Sequence, residues 1–320
     1  MSRRSGHSLI ETLFKSVLPC AIALLMLASG IVRAEDDETP IEDCRYRAQD
    51  GNQSSSNNSS SQWLPADDVF RPLMADPKQP QFFASYQTTE VRTSGSQLNV
   101  GSVGFGENFG LWTRRDGCNG WQVSLLSGIF SQFNMDAPST DLLNTDFVVG
   151  IPISWRQGPF SARVRLYHQS SHLGDEFLLR NPDFNRINLS YEEVEALLSL
   201  DVKWVRMYGG GGYLIHRQPA FDRSRAQWGM ELRGPEFAIP FLGETGRHVM
   251  LVPVLGADFK AIEQLSWTLN TNVVAGFEMS SSRARRRIRF LISYYNGFAP
   301  YGQFANLKVE TIGAGIYLTF

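Results

Sequence analysis

From Gln81 to the C-terminus the chain alternates apolar and polar residues in one short segment after another, each bounded by turn residues. That period of two is the signature of strands with one apolar face, and no stretch here reads convincingly as a helix. The first two segments, near 81–93 and 99–114, are interrupted by glycine. The third places Trp121, Val123, Leu125, Ser127, Ile129, Ser131 and Phe133 on one face, and the fourth places Phe147, Val149, Ile151, Ile153 and Trp155 together. The tenth is the cleanest, with Leu265, Trp267, Leu269, Thr271, Val273, Ala275 and Phe277 opposed to Ser266, Thr268, Asn270, Asn272 and Glu278. Gly209 to Gly212 in the seventh suits a bend, or a wall that another group approaches closely.

The pattern predicts about twelve antiparallel strands, an even number that puts both termini on one side, as bacterial outer-membrane barrels require. The fold class expected is all-β, a transmembrane antiparallel β-barrel over residues 81–320. Trp121, Trp155 and Trp204 would fall at the inner water–lipid boundary, where aromatic girdles sit. The polar faces carry Arg163, Arg165, Arg233, Arg287 and Arg289 together with Glu193, Glu195, Asp201, Glu231 and Glu278. Opposite charges in a lumen of this size can pair across it, so a filled barrel is expected rather than a wide pore. A soluble sandwich would need buried partners for every one of those charges.

Composition adds the compartment. A basic start (Arg3, Arg4, Lys15), the apolar run from Val17 to Ala28 and Val32-Arg33-Ala34 before an acidic stretch form an export signal over residues 1–34. Residues 35–80 read as a periplasmic leader. Its centre, Asn52 to Gln62, is too rich in serine and asparagine to bury apolar surface. Its proline-punctuated end, Val69 to Pro80, is extended and expected to pack against the base of the sheet. Cys44 and Cys118 are the cysteines left after cleavage, and export favours one disulfide between them. Net charge is only −2, which implies no nucleic-acid partner.

One strand breaks the rule. Phe160, Ala162, Val164 and Leu166 share an apolar face that continues into His168, Ser170 and His172. Counting strands from periplasmic termini puts these polar groups on the outside of the barrel near the outer-leaflet rim, below a polar loop from Leu173 to Asn188. Residues two apart on a strand share a face, so His168 can take the proton of Ser170 and make it a nucleophile.

The hairpin Tyr167-His-Gln-Ser170 with Asn188-Leu-Ser-Tyr191 resembles the active-site hairpin of outer-membrane phospholipase A, also a barrel of similar length. The resemblance implies His168 as general base, Ser170 as nucleophile and Asn188 as the residue orienting the imidazole; Asn185, of opposite parity, is the fallback. It also implies calcium to polarise the ester carbonyl, for which Asp175 and Glu176 offer hard oxygen ligands. Membrane lipid as substrate and a homodimer through the barrel wall follow from the same resemblance. Two departures stand out: Ser171-His172 replaces asparagine and glycine after the serine, and the loop to Asn188 is longer. A final strand ending in Phe320 resembles the signal that such barrels present to their assembly machinery.

The chain as a whole also resembles an exported bacterial family known only as a domain of unknown function. That resemblance rests on Phe70 to Pro77, Ser171 to Glu176, Asn188 to Glu192 and Tyr295 to Phe304. It brings no activity with it. Three functions follow: an outer-leaflet serine phospholipase, a non-catalytic barrel serving as narrow channel or wall, and a lipid-binding transporter whose leader recruits a partner. In the second, His168 and His172 are interfacial residues, Ser170 and Ser171 begin a loop, and Asp175 and Glu176 are solvated or bridge lipopolysaccharide through divalent ions.

Overall fold

The computed structural model describes residues 59–184, 186–239, 249–281 and 284–319. The expected export signal, Cys44, Asn185 and Phe320 lie outside the described residues. Cys118 is disulfide-bonded.

In chain order the strands are β1 (Ser60–Trp63), β2 (Phe82–Val91), β3 (Ser96–Asp116), β4 (Asn119–Asn134), β5 (Asp141–Gln157), β6 (Phe160–Leu173) and β7 (Leu189–Val202). They continue with β8 (Val205–Gln218), β9 (Ser224–Arg233), β10 (Phe237–Ile239), β11 (Val249–Ile262), β12 (Leu269–Ser281), β13 (Ala284–Phe298) and β14 (Lys308–Thr319). Twelve of the described strands, all but the short β1 and β10, form a closed antiparallel barrel. Closure comes from β14 pairing with β2, with Ile316 opposite Ala84. Sealing the sheet removes the free edges that no strand could leave in lipid.

Alternation sorts the side chains as the sequence implies. Ile151, Ile153, Val164 and Leu198 point outward and are about half or more exposed, while Arg163, Arg165, Glu193 and Glu195 of the adjoining positions are buried in the lumen. An apolar surface of that extent is a lipid-facing wall. At one end the hairpins are tight: Gly117 (φ 59°) and Gly158 (φ 56°) take the left-handed conformation that these turns need. Trp121 and Trp155 pair across β4 and β5 at this end, their rings 6.1 Å apart. The opposite end carries the longer loops. One holds α1 (Asp175–Arg180), a six-residue helix that the alternation does not announce. Leu265 and Trp267 leave the expected tenth strand for a 3-10 turn, because Ser266 and Trp267 both adopt positive φ to reverse the chain between β11 and β12.

The segment before β2 does not rest against the base of the sheet. Residues 69–81 run inside the barrel as a plug, with Phe70, Leu73, Met74 and Ala75 almost fully buried. A segment that joins no sheet has to bond its backbone elsewhere. Val69 N donates to Gln122 Oε1 (2.8 Å), Met74 N to Glu231 Oε1 (2.6 Å), and Asn272 Nδ2 donates to Ala75 O (2.7 Å). Phe70 lies between the guanidinium groups of Arg163 and Arg206, each 4.8 Å from its ring. The plug's own charges close on the wall: Arg71 pairs with Asp201, Asp76 with Lys260 (2.5 Å) and Lys78 with Asp146 (2.6 Å). Wall charges pair among themselves as well, Arg165 with Glu195 at 2.5 Å and Arg289 with Glu278 at 2.7 Å. The lumen is therefore filled, partly by paired charges and partly by the chain's own N-terminal segment.

Candidate active site on the outer wall

On β6 the outward face reads Phe160, Ala162, Val164, Leu166, His168, Ser170 and His172, and each intervening residue is buried. Six steps from Phe160 to Leu166 cover about 20 Å of strand. His168 and Ser170 therefore sit toward the loop end of an apolar band that is about 25 Å tall in outer-membrane barrels. Phe147 and Val149 of β5 flank them in register with Ser170 and His168. His172 lies further up, its ring edge-on to Phe147 at 5.8 Å.

Across β7 the partner of His168 is Glu192, and across β8 the partner of Glu192 is His216. The carboxylate bridges both imidazoles: Glu192 Oε1 is 2.8 Å from His168 Nδ1, and Oε2 is 2.6 Å from His216 Nδ1. A carboxylate on a lipid-facing wall needs such partners. With Nδ1 of His168 held by the acid, Nε2 is the ring atom left to receive a proton, the arrangement of Ser-His-acid hydrolases. Ser170 is one pleat repeat away on the same face, and its Oγ makes no hydrogen bond among the described residues.

Asn188, expected to orient the imidazole, lies in the coil before β7 and is exposed. The last paired residues are Ser171 and Leu189, so Asn188 falls beyond the ladder and four residues from the position opposite His168. The group facing His168 is Glu192. Its parity is legible in the sequence, since it shares the outward face with Ala196 and Leu198, and an acid at a lipid-facing position is itself a signal. His216 is not legible in this way. A bulge puts Glu192 opposite His216 but Glu193 opposite Leu214, which turns Ile215 and His216 outward in succession.

Asp175 and Glu176 occupy the first turn of α1 and are both exposed. Among the described residues no group of three His, Cys, Asp or Glu side chains could hold a metal ion. Asp175 and Glu176, the two expected calcium ligands, thus have no third His, Cys, Asp or Glu grouped with them among the described residues. Ser171 points into the lumen instead, donating to Asp146 Oδ1 (2.5 Å) and Asn144 Oδ1 (3.0 Å). Asp146 also accepts Gly302 N at 3.0 Å, and Gln303 Nε2 donates to Ser171 O and Ile187 O, both at 2.8 Å. The loop after β13 is thereby folded over the barrel mouth.

A sealed twelve-strand sheet with an apolar outer wall and a polar, filled lumen defines an integral outer-membrane β-barrel. The chain belongs to the family described as protein of unknown function (DUF1207), whose model matches residues 36–320. Similar solved structures include the outer membrane phospholipase (OMPLA) of Salmonella typhi, a dimer with bound calcium. It is 12% identical, with a TM-score of 0.51 over 78% of this chain and 94% of that one. The Escherichia coli outer membrane phospholipase A is 11% identical, with a TM-score of 0.50 over 79% of this chain and 95% of that one. At such identities the likeness is one of fold. Among curated proteins no relative matches the sequence.

Proposed function

We propose that the protein is a serine acyl-ester hydrolase acting on phospholipid at the outer wall of the barrel. The observation that carries this reading is the His168 Nδ1–Glu192 Oε1 hydrogen bond on the lipid-facing side of the strand that bears Ser170. Ser170 Oγ attacks the ester carbonyl while His168 Nε2 takes its proton. Glu192 holds the Nδ1 hydrogen and balances the imidazolium that forms. His168 then protonates the departing alcohol, and water drawn by the same base releases the fatty acid from the acyl-serine. His216 holds the second carboxylate oxygen and limits rotation of Glu192. Pairing of two copies through this wall belongs to the same proposal.

Acyl release from phosphatidylcholine micelles by refolded protein tests it, run with calcium and with chelator. Fatty acid release is expected from heat-modifiable, folded barrel. Glu192→Ala should lower kcat by about 10²–10⁴-fold, since loss of the orienting acid leaves the wrong tautomer populated. Asn188→Ala should do far less. No release from folded protein removes the reading.

The plug favours a second, non-catalytic reading as a closed wall protein over one as a channel. Ion pairs anchor it on several sides of the lumen, including Asp76 with Lys260 on β11 and Lys78 with Asp146 on β5. Planar-bilayer recordings should show no unitary ion steps. Steady conductance steps would mean that the plug leaves the lumen.

A further inference from the structure

Between the apex of the plug and the loops of the long-loop end lies a cavity of about 290 Å³, on the lumen side of the wall whose outer face carries His168 and Ser170. Pro77 and Lys78 form its floor. Phe221 after β8, Gln264 after β11 and Phe298 with Asn306 at the β13–β14 loop form its rim. The floor is pinned, because Lys78 and the adjacent Asp76 are tied to Asp146 and Lys260 of the wall. The result is a cup rather than a passage. Gly211 and Gly212 line the β8 wall, and the missing Cβ at Gly212 is what leaves room for the Glu193 carboxylate.

The cup's charges are already matched. Arg225 pairs with Glu193 at 2.9 Å, Arg165 with Glu195 at 2.5 Å, and both lysines are paired as described. Asp258 accepts Tyr208 Oη and Gln227 Nε2, each at 2.7 Å. An anionic ligand would meet no uncompensated counter-charge, since every lining lysine and arginine named here is paired. Gln169, by contrast, lines the cavity, is 5% exposed, and makes no side-chain hydrogen bond among the described residues. Its amide opens onto the cavity, so two donors and an acceptor are available there to a ligand or to water. Aromatic faces stand beside it: Tyr167 and Tyr191 edge to face at 6.3 Å, and Phe221 edge-on to Tyr191 at 6.4 Å. Apolar ring faces with a few fixed polar groups, in a cavity of this size, suit a compact ligand with both C–H faces and hydroxyl groups.

We propose that this cup is a binding site for a neutral saccharide unit entering from the loop end of the barrel. Sugar hydroxyls would bond the Gln169 amide and the polar atoms of the rim, and the ring's C–H face would lie on Phe221, since the Tyr191 ring already carries the Arg225 guanidinium at 4.5 Å. The proposal is independent of hydrolysis at Ser170.

Saturation-transfer NMR on the full chain refolded in an amine-oxide detergent tests it; alkyl glucosides would compete. Glucose, galactose and N-acetylglucosamine serve as neutral probes, and sodium phosphate, followed by phosphorus line width, as the anionic one. Transfer to at least one neutral sugar is expected, lost in Gln169→Leu. Ala220→Trp, which fills the cavity from an exposed loop position without touching the barrel wall, should also abolish it while heat-modifiable mobility is kept. Transfer to no neutral sugar, a response to phosphate alone, or transfer unchanged in folded Ala220→Trp would each overturn the proposal.

Discussion

Replacing Ser170 by Ala is expected to abolish acyl release while leaving a folded, heat-modifiable barrel. Ser170 stands on the outward face, so its hydroxyl contributes nothing to the packing of the lumen. Among the described residues it makes no hydrogen bond, and its loss strands no buried partner. Stability should therefore change by no more than about 0.5 kcal/mol, the scale of ordinary surface substitutions. Activity should fall by roughly three orders of magnitude or more, because without a nucleophile the base and acid act on nothing. His168→Ala should fall to the same floor, and the double variant should fall no further, since members of one catalytic unit are not additive. Acyl release retained in purified Ser170→Ala would make the serine a plain wall residue of β6 with no part in the chemistry.

Glu231→Ala should be the most destabilising single substitution in the lumen. Glu231 is 1% exposed and accepts three groups at once: Met74 N of the plug at 2.6 Å, Arg233 at 3.1 Å and Arg206 at 3.5 Å. Its removal leaves two buried guanidinium groups short of an anion and one plug amide without an acceptor. Breaking a buried pair from one side costs about 3–5 kcal/mol, although the intact pair need not exceed an apolar replacement in stability. Urea titration of the folded barrel in micelles, followed by tryptophan emission, would read the loss. Glu231→Gln keeps an acceptor for Met74 N and should recover part of it. A midpoint unchanged in both variants would show that the plug is held by its apolar residues alone.

Much of this was legible in the order of residues. Parity along each strand separates lipid-facing Ile151, Ile153 and Leu198 from lumen-facing Arg163, Arg165 and Glu195, because successive side chains on a strand must point to opposite faces. The same rule places His168 and Ser170 outward, and it marks Glu192 as an acid on the wrong side for a lipid wall. Pairing of the lumen charges also follows, since ten opposite charges facing one another in a narrow barrel have no other resort. Two of the four segments behind the family resemblance, Phe70 to Pro77 and Tyr295 to Phe304, turn out to be part of the plug and the end of β13 with the loop over the mouth.

What the sequence determined by itself was the face of most strand residues, the number of strands and the sign of each surface, because these depend on a local period of two. What only the tertiary structure decided was which residues meet across strands. Register between β6 and β7 is not set by the long loop that joins them, so Asn188 and Glu192, of equal parity, were indistinguishable as partners of His168. One extra residue at the bulge in β8 carries His216 to Glu192, and no alternation encodes where a bulge falls. The proline-rich segment could have lain on either side of the sheet. It enters the lumen, where Phe70 and Leu73 pack with Leu197 and Tyr208 and the plug's backbone bonds to Gln122, Glu231 and Asn272, polar partners that the lipid-facing side does not offer.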